Sequence, residues 1–407
     1  MTGIFIGLLG IVVILGIAFL ISGNRKAISL RIVGAAFALQ AVVAAFVIYS
    51  DTGKTIIEKM SFGVLKVMGY SREGIEFVFG GLAMTDGIWS FAINVLPMII
   101  FFSALMSVLY HLKIMQIVVK VIGGGLRWVI GTRAVESLNA AANIFIGQTE
   151  APLVVRPYLR TLTDPQLFAV MVSGVASIAG TVMLAYVQMG AELKYLLAAS
   201  FMAAPGGLLM AKIIMPDEDI VKGVKEEHLV LEDSKHENVI LAAAVGASDG
   251  VRLAVNIGAM LVAFVALIAL FNGLVGGLAE LAGIEGLTLQ KIFGWIFAPL
   301  MYLLSIPWAE AQAAGALFGE KVILNEFVAF SHMPEYLAGM SDKTRAIVTF
   351  ALCGFANLSS IAILLGGLGS LVPEKKELIA RFGIKAVAAG SLSNLMSAAM
   401  AGVLLSF

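Results

Sequence analysis

The sequence predicts an all-α polytopic membrane protein, and three observations support that prediction. Of the 407 residues, 60% are hydrophobic and only 13% are charged, about half the charged fraction of a typical soluble domain. Apolar runs long enough to span a bilayer recur along the chain. Two polar clusters, around Glu150 and Glu326, interrupt apolar sequence. Because unpaired polar groups are costly in lipid, these clusters should face a watered cavity inside the protein.

Charge and cysteine content exclude several classes of function. The chain has 27 basic and 27 acidic residues, so it has no overall charge that would attract nucleic acid. The single cysteine, Cys353, excludes an intrachain disulfide and a multi-cysteine metal site. The sequence contains no Walker A loop, no HExxH and no nucleophile elbow. An intramembrane enzyme acting on a polar small molecule remains only a distant alternative.

The first part of the chain predicts three spans and one surface helix. Apolar runs at about residues 3–22 and 28–50 flank the basic turn Arg25–Lys26, which the positive-inside rule places in the cytoplasm, with the N-terminus outside. Residues 51–80 combine charged residues with regularly spaced apolar ones, as in an amphipathic helix that lies in the membrane interface. A third span covers about residues 91–110.

Residues 123–155 predict a re-entrant helical hairpin rather than a span. Three glycines, Asn143 and Gln148–Glu150 interrupt every apolar window in this stretch. A hairpin entering from the cytoplasm would place this polar tip near mid-membrane, where irregular backbone is tolerated beside a cavity. Two spans follow, at about 165–189 and 193–214. The first of them carries serine, glycine and threonine in its middle, which predicts local unwinding.

The second part of the chain repeats this pattern. Residues 216–238 are polar and acidic and predict a cytoplasmic connector. A long apolar helix at about 251–282 then returns to the outside. Residues 289–330 again combine prolines, glycines and carboxylates in a predicted hairpin, which enters from outside. Spans at about 344–372 and 384–406 complete the chain and place the C-terminus outside.

The two halves therefore predict eight transmembrane helices and two re-entrant hairpins in inverted repeats. Glu136 with its following alanines and Glu150 resembles Glu310 with its alanines and Glu326. Inverted repeats place substrate and ion sites near mid-membrane at the repeat interface. The predicted units are residues 1–110 (scaffold spans 1–3 with the interfacial helix), 111–215 (first hairpin, spans 4–5), 216–250 (connector), 251–288 (scaffold span 6) and 289–407 (second hairpin, spans 7–8).

Glu150 and Glu326 are the first candidate binding residues. An intramembrane carboxylate accepts charge-assisted hydrogen bonds from hydroxyl or N–H groups of a ligand. Gln148 and Thr149 add donors and acceptors beside Glu150. No arginine lies in either cluster, so a neutral polyhydroxylated or heterocyclic ligand fits better than an anion. The alternative is that each carboxylate only pairs with a nearby lysine or arginine as a fold contact.

Four residues form a candidate cation site: Asn143, Ile146, Ser177 and Ile178. Hard cations prefer oxygen ligands, which side chains and the carbonyls of interrupted helices supply. The alternative is that Asn143 caps a hairpin helix and Ser177 bonds back to its own helix. Asn357, Ser359 and Ser360 form a third polar group, for which helix packing is the competing explanation.

Three motifs together resemble the concentrative nucleoside transporter family, in its bacterial sodium-coupled branch. They are Gly147–Pro152 (GQTEAP), Asn325–Phe327 (NEF) and Cys353–Ser360 (CGFANLSS). The resemblance covers the whole chain. It implies a homotrimer of eight-span subunits in the bacterial cytoplasmic membrane, in which a transport domain slides like an elevator against a trimeric scaffold. Sodium is the implied coupling ion, with no other cofactor and no nucleic-acid partner.

The resemblance also implies roles for individual residues. Gln148, Thr149 and Glu150 would contact the nucleobase, with Val182 nearby, and Glu326, Asn357 and Ser360 would hold the ribose. Phe355 and Leu253 would be apolar contacts. The sodium ligands would be Asn143, Ile146, Ser177 and Ile178, and Ile146 replaces a valine without affecting a carbonyl ligand. The expected function is sodium-coupled nucleoside import. Proton coupling through Glu150 or Glu326 is the alternative.

Overall fold

The computed structural model describes residues 2–84, 90–217, 236–281 and 283–407, and its regular elements there are all helices. Those of the first part are α1 (Thr2–Leu20), α2 (Leu30–Tyr49), α3 (Asp51–Phe79), α4 (Gly81–Met84), α5 (Phe91–Asn94), α6 (Leu96–His111), α7 (Ile114–Ile130), α8 (Ala134–Ala142), α9 (Ala151–Val154), α10 (Asp164–Ala176), α11 (Gly180–Gln188) and α12 (Leu193–Ile214). Those of the second part are α13 (Val239–Leu281), α14 (Leu289–Leu303), α15 (Trp308–Ile323), α16 (Glu326–Tyr336), α17 (Asp342–Leu352), α18 (Ser359–Gly366), α19 (Leu368–Leu371) and α20 (Lys376–Leu404).

Seven helices in the described part of the chain are long and apolar enough to cross a membrane. They are Gly3–Leu20, Leu30–Tyr49, Phe91–His111, Asp164–Gln188, Leu193–Ile214, Val239–Leu281 and Pro373–Leu404. The pair α14 and α15 passes the same test together but is bent by 118°. The predicted span at 344–372 is divided into α17 and α18–α19 by an irregular segment at 353–358.

The amphipathic pattern at 51–80 forms a single helix, α3, of 29 residues. The Ser50 hydroxyl caps it by accepting a hydrogen bond from Gly53 N at 3.3 Å. Only one narrow face is buried, including Ile57 and Ile75. The predicted helix is therefore confirmed, and its place in the membrane interface stays a prediction.

The predicted start of the first hairpin at residue 123 was wrong. Gly123 lies inside α7, and a Cβ atom there would lie 2.8 Å from Leu138 Cδ2. Glycine at this position thus allows α7 and α8 to approach closely and does not interrupt the helix. The chain turns instead at Gly131, whose φ of 83° is in the left-handed region that favours glycine. The first limb of the hairpin begins at Ala134.

The predicted boundary between the connector 216–250 and the scaffold helix at 251 was also wrong, because α13 already begins at Val239. Its first turns are apolar or small and pack on α6, where a Cβ atom on Gly246 would lie 2.5 Å from Ser107 Cβ. Residues 218–235 of the predicted connector lie outside the described residues. The last helix likewise starts at Lys376 instead of 384, with its charged residues exposed and Ile379 buried.

Each half of the chain contains a hairpin, then a broken helix, then an unbroken one. In the first half these are α8–α9, the pair α10 and α11, and α12. In the second they are α15–α16, the pair α17 and α18, and α20. Glu136 and Glu310 are each the third residue of the first limb of their hairpin. The order of elements thus supports the predicted repeat, and opposite entry sides stay a prediction.

The two helix breaks contact each other. Phe355 N, in the second break, donates to Ser177 O, in the first break, at 3.1 Å. Asn394 on α20 donates through Nδ2 to Ala176 O at 2.7 Å and to Cys353 O at 2.9 Å. Since broken helices leave carbonyls without helical partners, these bonds satisfy groups that would otherwise be orphaned in the interior.

Each hairpin also bonds to the break in its own half. Gly180 N donates to Phe145 O at the first tip at 3.0 Å, and Leu358 N donates to Val322 O beside the second tip at 3.1 Å. The buried Lys321 donates to Asn394 Oδ1 at 2.7 Å. Two hairpin tips and two breaks are therefore held together at one place in the fold.

Candidate substrate and ion site

A cavity of about 460 Å³ lies where the tips, the breaks and α13 meet. All the residues predicted to contact a substrate line it: Gln148, Thr149, Glu150, Val182, Leu253, Glu326, Phe355, Asn357 and Ser360. They come from positions spread over more than 200 residues of sequence. The structure therefore brings the complete predicted set together around one space.

Glu326 is held in place on the second-hairpin side of the cavity. Its side chain is only 3% exposed. Oε1 accepts a hydrogen bond from the Tyr186 hydroxyl at 3.1 Å, and Oε2 accepts one from Asn357 Nδ2 at 2.9 Å. Both donors are uncharged, so these bonds do not make Glu326 the partner of a lysine or arginine. A carboxylate has about four acceptor positions, and the remaining ones are available to a ligand.

Asn357 and Asn325 fix the surroundings of this carboxylate. Asn357 Oδ1 accepts from Ser360 N at 2.9 Å and from Ser359 Oγ at 2.7 Å. Asn325 caps α16 by accepting from Val328 N at 2.9 Å. Glu326 is the first residue of α16, where the positive end of the helix dipole stabilises a negative charge. The second hairpin therefore presents a preorganised acceptor.

The first-hairpin side is more open. Gln148 is 5% exposed and donates through Nε2 to Ser360 Oγ at 3.1 Å, while its Oε1 has no hydrogen-bond partner among the described residues. Thr149 and Glu150 are exposed to the cavity. This side can offer an amide, a hydroxyl and a carboxylate to a ligand with both donors and acceptors at its edge.

Two polar residues near the cavity were not predicted. Tyr186 on α11 bonds to Glu326, and Asn256 on α13 lines the cavity. Each lies in a mainly apolar helix, Tyr186 in α11 and Asn256 in α13. Asn256 had a usable signal, since an amide in lipid-facing sequence is costly. The tyrosine had none, because tyrosine is common at many depths of membrane helices.

The four predicted cation ligands lie together at the first tip and the first break. Asn143, Ile146, Ser177 and Ile178 are all 4% exposed or less. Asn143 Nδ2 donates to Asn139 O at 2.9 Å and Ser177 Oγ donates to Ser173 O at 3.2 Å, so the competing packing roles are observed. Asn143 Oδ1, however, is buried without a partner among the described residues. An unpaired buried acceptor costs about 1–3 kcal/mol, and an amide oxygen is the kind of ligand that a hard cation prefers.

A second cavity of about 350 Å³ adjoins the first and shares Glu150, Thr181 and Leu253 with it. It runs between α6 and α13, where Tyr110 and Asp249 line it. The second cavity therefore extends the main one along α6 and α13, and polar side chains line part of it.

Comparison with known proteins identifies sequence similarity along most of the chain. Residues 195–402 match the family described as Na+ dependent nucleoside transporter, C-terminus, and residues 9–82 match the corresponding N-terminus family. Residues 92–193 match a family described as nucleoside recognition. The cavity residues lie within 92–193 and 195–402, the nucleoside-recognition region and the C-terminal transporter region.

Individual relatives are similar over almost their whole length. An uncharacterized transporter of Haemophilus influenzae is 52% identical, with 97% of this chain and 96% of the relative covered. A nucleoside permease of Helicobacter pylori is 47% identical with the same coverage. A solved structure of CNTnw in an inward-facing substrate-bound state is 50% identical, with a TM-score of 0.94 over 100% of this chain and 98% of the other.

Proposed function

Because the chain belongs to the concentrative nucleoside transporter family, we propose that it is a sodium-coupled symporter that imports nucleosides by an elevator mechanism. As a member of that family it is a multi-pass membrane transporter of nucleosides and not an enzyme. The coupling ion, the moving part and the assignment of each contact are the proposal.

The observation that carries the proposal is the division of the cavity into two chemically different sides. The first hairpin offers Gln148, Thr149 and Glu150, a mixture of donors and acceptors that suits the edge of a nucleobase. The second offers the fixed carboxylate Glu326 with Asn357 and Ser360, which suits ribose hydroxyls. Val182, Leu253 and Phe355 provide apolar contacts between them.

Sodium is proposed to bind at Asn143, Ile146, Ser177 and Ile178. The unpartnered Asn143 Oδ1 supports this assignment, as does the family description. The bond from Phe355 N to Ser177 O links the ion break directly to the ribose side, so that an ion in the first break would order the substrate contacts. One sodium moving inward across 100 mV releases about 2.3 kcal/mol, enough for accumulation of a neutral solute by several tens-fold.

The moving part is proposed to contain both hairpins and both broken helices, and the scaffold to contain α6 and α13. Buried hydrogen bonds join the hairpins and breaks to each other. The long helix α13 packs along α6 and leaves a strongly exposed apolar surface, with Val262 75% and Leu278 69% exposed. This surface suits lipid and the other subunits of a homotrimer. We place the protein in the bacterial cytoplasmic membrane with both termini outside.

Uptake into proteoliposomes tests the coupling. Purified protein is reconstituted, and accumulation of radiolabelled uridine or adenosine is followed at fixed pH with an inward sodium gradient or with choline instead. Sodium-driven accumulation above equilibrium is expected. Accumulation driven by an acid-outside gradient in the absence of sodium would establish the proton-coupled alternative, and the protein would then use Glu150 or Glu326 as the carrier.

A further inference from the structure

A titratable pair lies between the two limbs of the second hairpin. His332 Nδ1, on α16, is 3.0 Å from each carboxylate oxygen of Glu320, on α15. The Glu320 side chain is 1% exposed and that of His332 is 26% exposed. Glu320 Oε1 also accepts a hydrogen bond from Gln290 Nε2, on α14, at 2.9 Å. None of these residues lines the substrate cavity.

The pair has a defined position relative to the hairpin tip. Glu320 precedes Glu326 by six residues, and His332 follows it by six. The contact between them therefore closes a short loop that consists of the last turn of α15, the tip and the first turns of α16. A closed loop of this length has few conformations open to it, so the contact restricts where the Glu326 carboxylate lies.

The strength of the contact depends on the charge of His332. A carboxylate as buried as Glu320 needs compensating positive charge or several hydrogen bonds. Gln290 supplies one uncharged donor, and protonated His332 supplies the charge. Among the described residues, the other ionisable groups that face His332 are Glu335 and Tyr336 on its own helix. Neutral imidazole can still donate one hydrogen bond, but the charge-assisted part of the contact is lost.

We propose that Glu320 and His332 are positioning residues for nucleoside binding: protonated His332 fastens the limbs of the second hairpin and so sets the Glu326 carboxylate toward the ribose hydroxyls. The proposal rests on the proposed function of Glu326 as the ribose acceptor. It does not make His332 a carrier of protons across the membrane, since the residue faces the hairpin limbs and not the cavity.

The pH profile of binding is the first test. At saturating sodium, nucleoside affinity of the wild-type protein should fall as the pH rises through and above neutrality, because the adjacent Glu320 carboxylate favours the protonated imidazole. His332→Asn keeps an uncharged donor near the Nδ1 position, so its affinity should be independent of pH and close to the high-pH value of the wild type. His111→Asn, a change on α6, is the control and should retain the wild-type profile. A wild-type profile in His332→Asn would overturn the proposal.

The second test asks whether the effect acts through Glu326. Binding of uridine or adenosine, whichever the wild type takes up, is compared with binding of the 2′,3′-dideoxy analogue at low pH. His332→Ala should weaken ribonucleoside binding by about tenfold, the value of a charge-assisted contact, and should change dideoxynucleoside binding much less. Equal losses for both ligands would show general damage to the hairpin and would overturn the proposal.

Different results would reject the proposed function and the positioning role of His332. If the wild-type protein binds no nucleoside with sodium present, the proposed function fails. If the wild type binds ribonucleoside more tightly than its dideoxy analogue while His332→Asn keeps the wild-type pH profile, the proposed function stands and only the positioning role is rejected.

Discussion

The two hairpins occupy equivalent places in the order of helices but are held by different chemistry. The first is tied to α12 by the buried Lys212, whose Nζ lies 2.6 Å from the buried Glu136 Oε1 and 2.8 Å from the partly exposed Asp217 Oδ2. Its carboxylate at the tip, Glu150, is exposed to the cavity. The second is tied within itself by the titratable Glu320–His332 pair, and its carboxylate, Glu326, is buried.

This difference shows that two hairpins with similar polar sequences can hold and present their carboxylates in different ways. In the first hairpin the anchor is an ion pair with a lysine, and the binding group is exposed to the cavity. In the second the anchor can change its charge and the binding group is fixed by Tyr186 and Asn357. We therefore expect mutations in the first hairpin to separate into stability effects and mild binding effects, and mutations in the second to alter binding strongly.

The largest expected effect is loss of stability in Lys212→Met. The change leaves the Glu136 carboxylate buried without its cation, which costs about 3–5 kcal/mol. Thermal or denaturant unfolding of the purified protein measures it. Lys194→Met is the matched control, because its 2.6 Å pair with Glu192 is about half exposed and such pairs contribute about 0–1 kcal/mol. Glu136→Gln combined with Lys212→Met should recover much of the lost stability. Equal stabilities of Lys212→Met and Lys194→Met would contradict the role of Lys212 in holding the first hairpin.

The next effect is on binding, in Glu326→Gln. The amide replaces one acceptor oxygen by an NH2 group, which then faces a donor from Tyr186 or Asn357, and we expect nucleoside affinity to fall by about a hundredfold. Calorimetric titration and uptake measure it. Glu310→Gln is the matched control, since this carboxylate of the same hairpin bonds to Ser341 and lies away from the cavity. Near-normal ribonucleoside uptake by Glu326→Gln would contradict the ribose assignment.

Asn143→Leu should act mainly on the ion. Losing the ion lowers substrate affinity by the coupling factor and no further, so we expect the dependence of nucleoside affinity on sodium, about tenfold in the wild type by typical coupling energies, to disappear. Titrations with and without sodium measure it. Asn94→Leu is the control, because Asn94 Oδ1 also lacks a partner but its residue does not line the cavity. Unchanged sodium dependence in Asn143→Leu would move the ion site elsewhere.

The smallest effect is expected for Glu150→Gln. Cavity water can solvate the exposed amide, so affinity should fall by about threefold to tenfold, within the range of a single hydrogen bond. The size of the loss should differ between uridine and adenosine, because the proposed contact of Glu150 is with the base. A loss as large as that of Glu326→Gln, and equal for both nucleosides, would abolish the distinction between the two hairpins.

Much of the site could be predicted from the sequence because polar residues stand out in apolar surroundings. Glu150, Glu326 and Asn357 are costly in lipid wherever they lie, so their presence alone indicated an enclosed site. The interruption of the first broken helix was predicted correctly from the small and polar residues around Ser177, and it lies at 177–179 between α10 and α11.

Other features depend on neighbours that a sequence pattern does not show. Gly123 was interpreted as a break, yet its role is set by Leu138 on the facing helix. The start of α13 was placed at residue 251, although the helix begins at Val239 and continues through Asp249. The bond between Tyr186 and Glu326 joins residues 140 positions apart. It depends on how α11 and α16 pack against each other, which a local sequence pattern does not show.

The bond from Phe355 N to Ser177 O joins the first break, where the ion is proposed to bind, to the ribose side of the cavity. If the moving part crosses the bilayer as one rigid unit, as the proposed elevator mechanism requires, the nucleoside has the same contacts at both faces of the membrane. At equal sodium concentrations and zero potential, loading and unloading would then be equally favourable, and the protein itself would have no preferred direction. Under the proposed mechanism, the sodium gradient and the membrane potential set the direction of transport, so inverting the ion gradient should turn import into export.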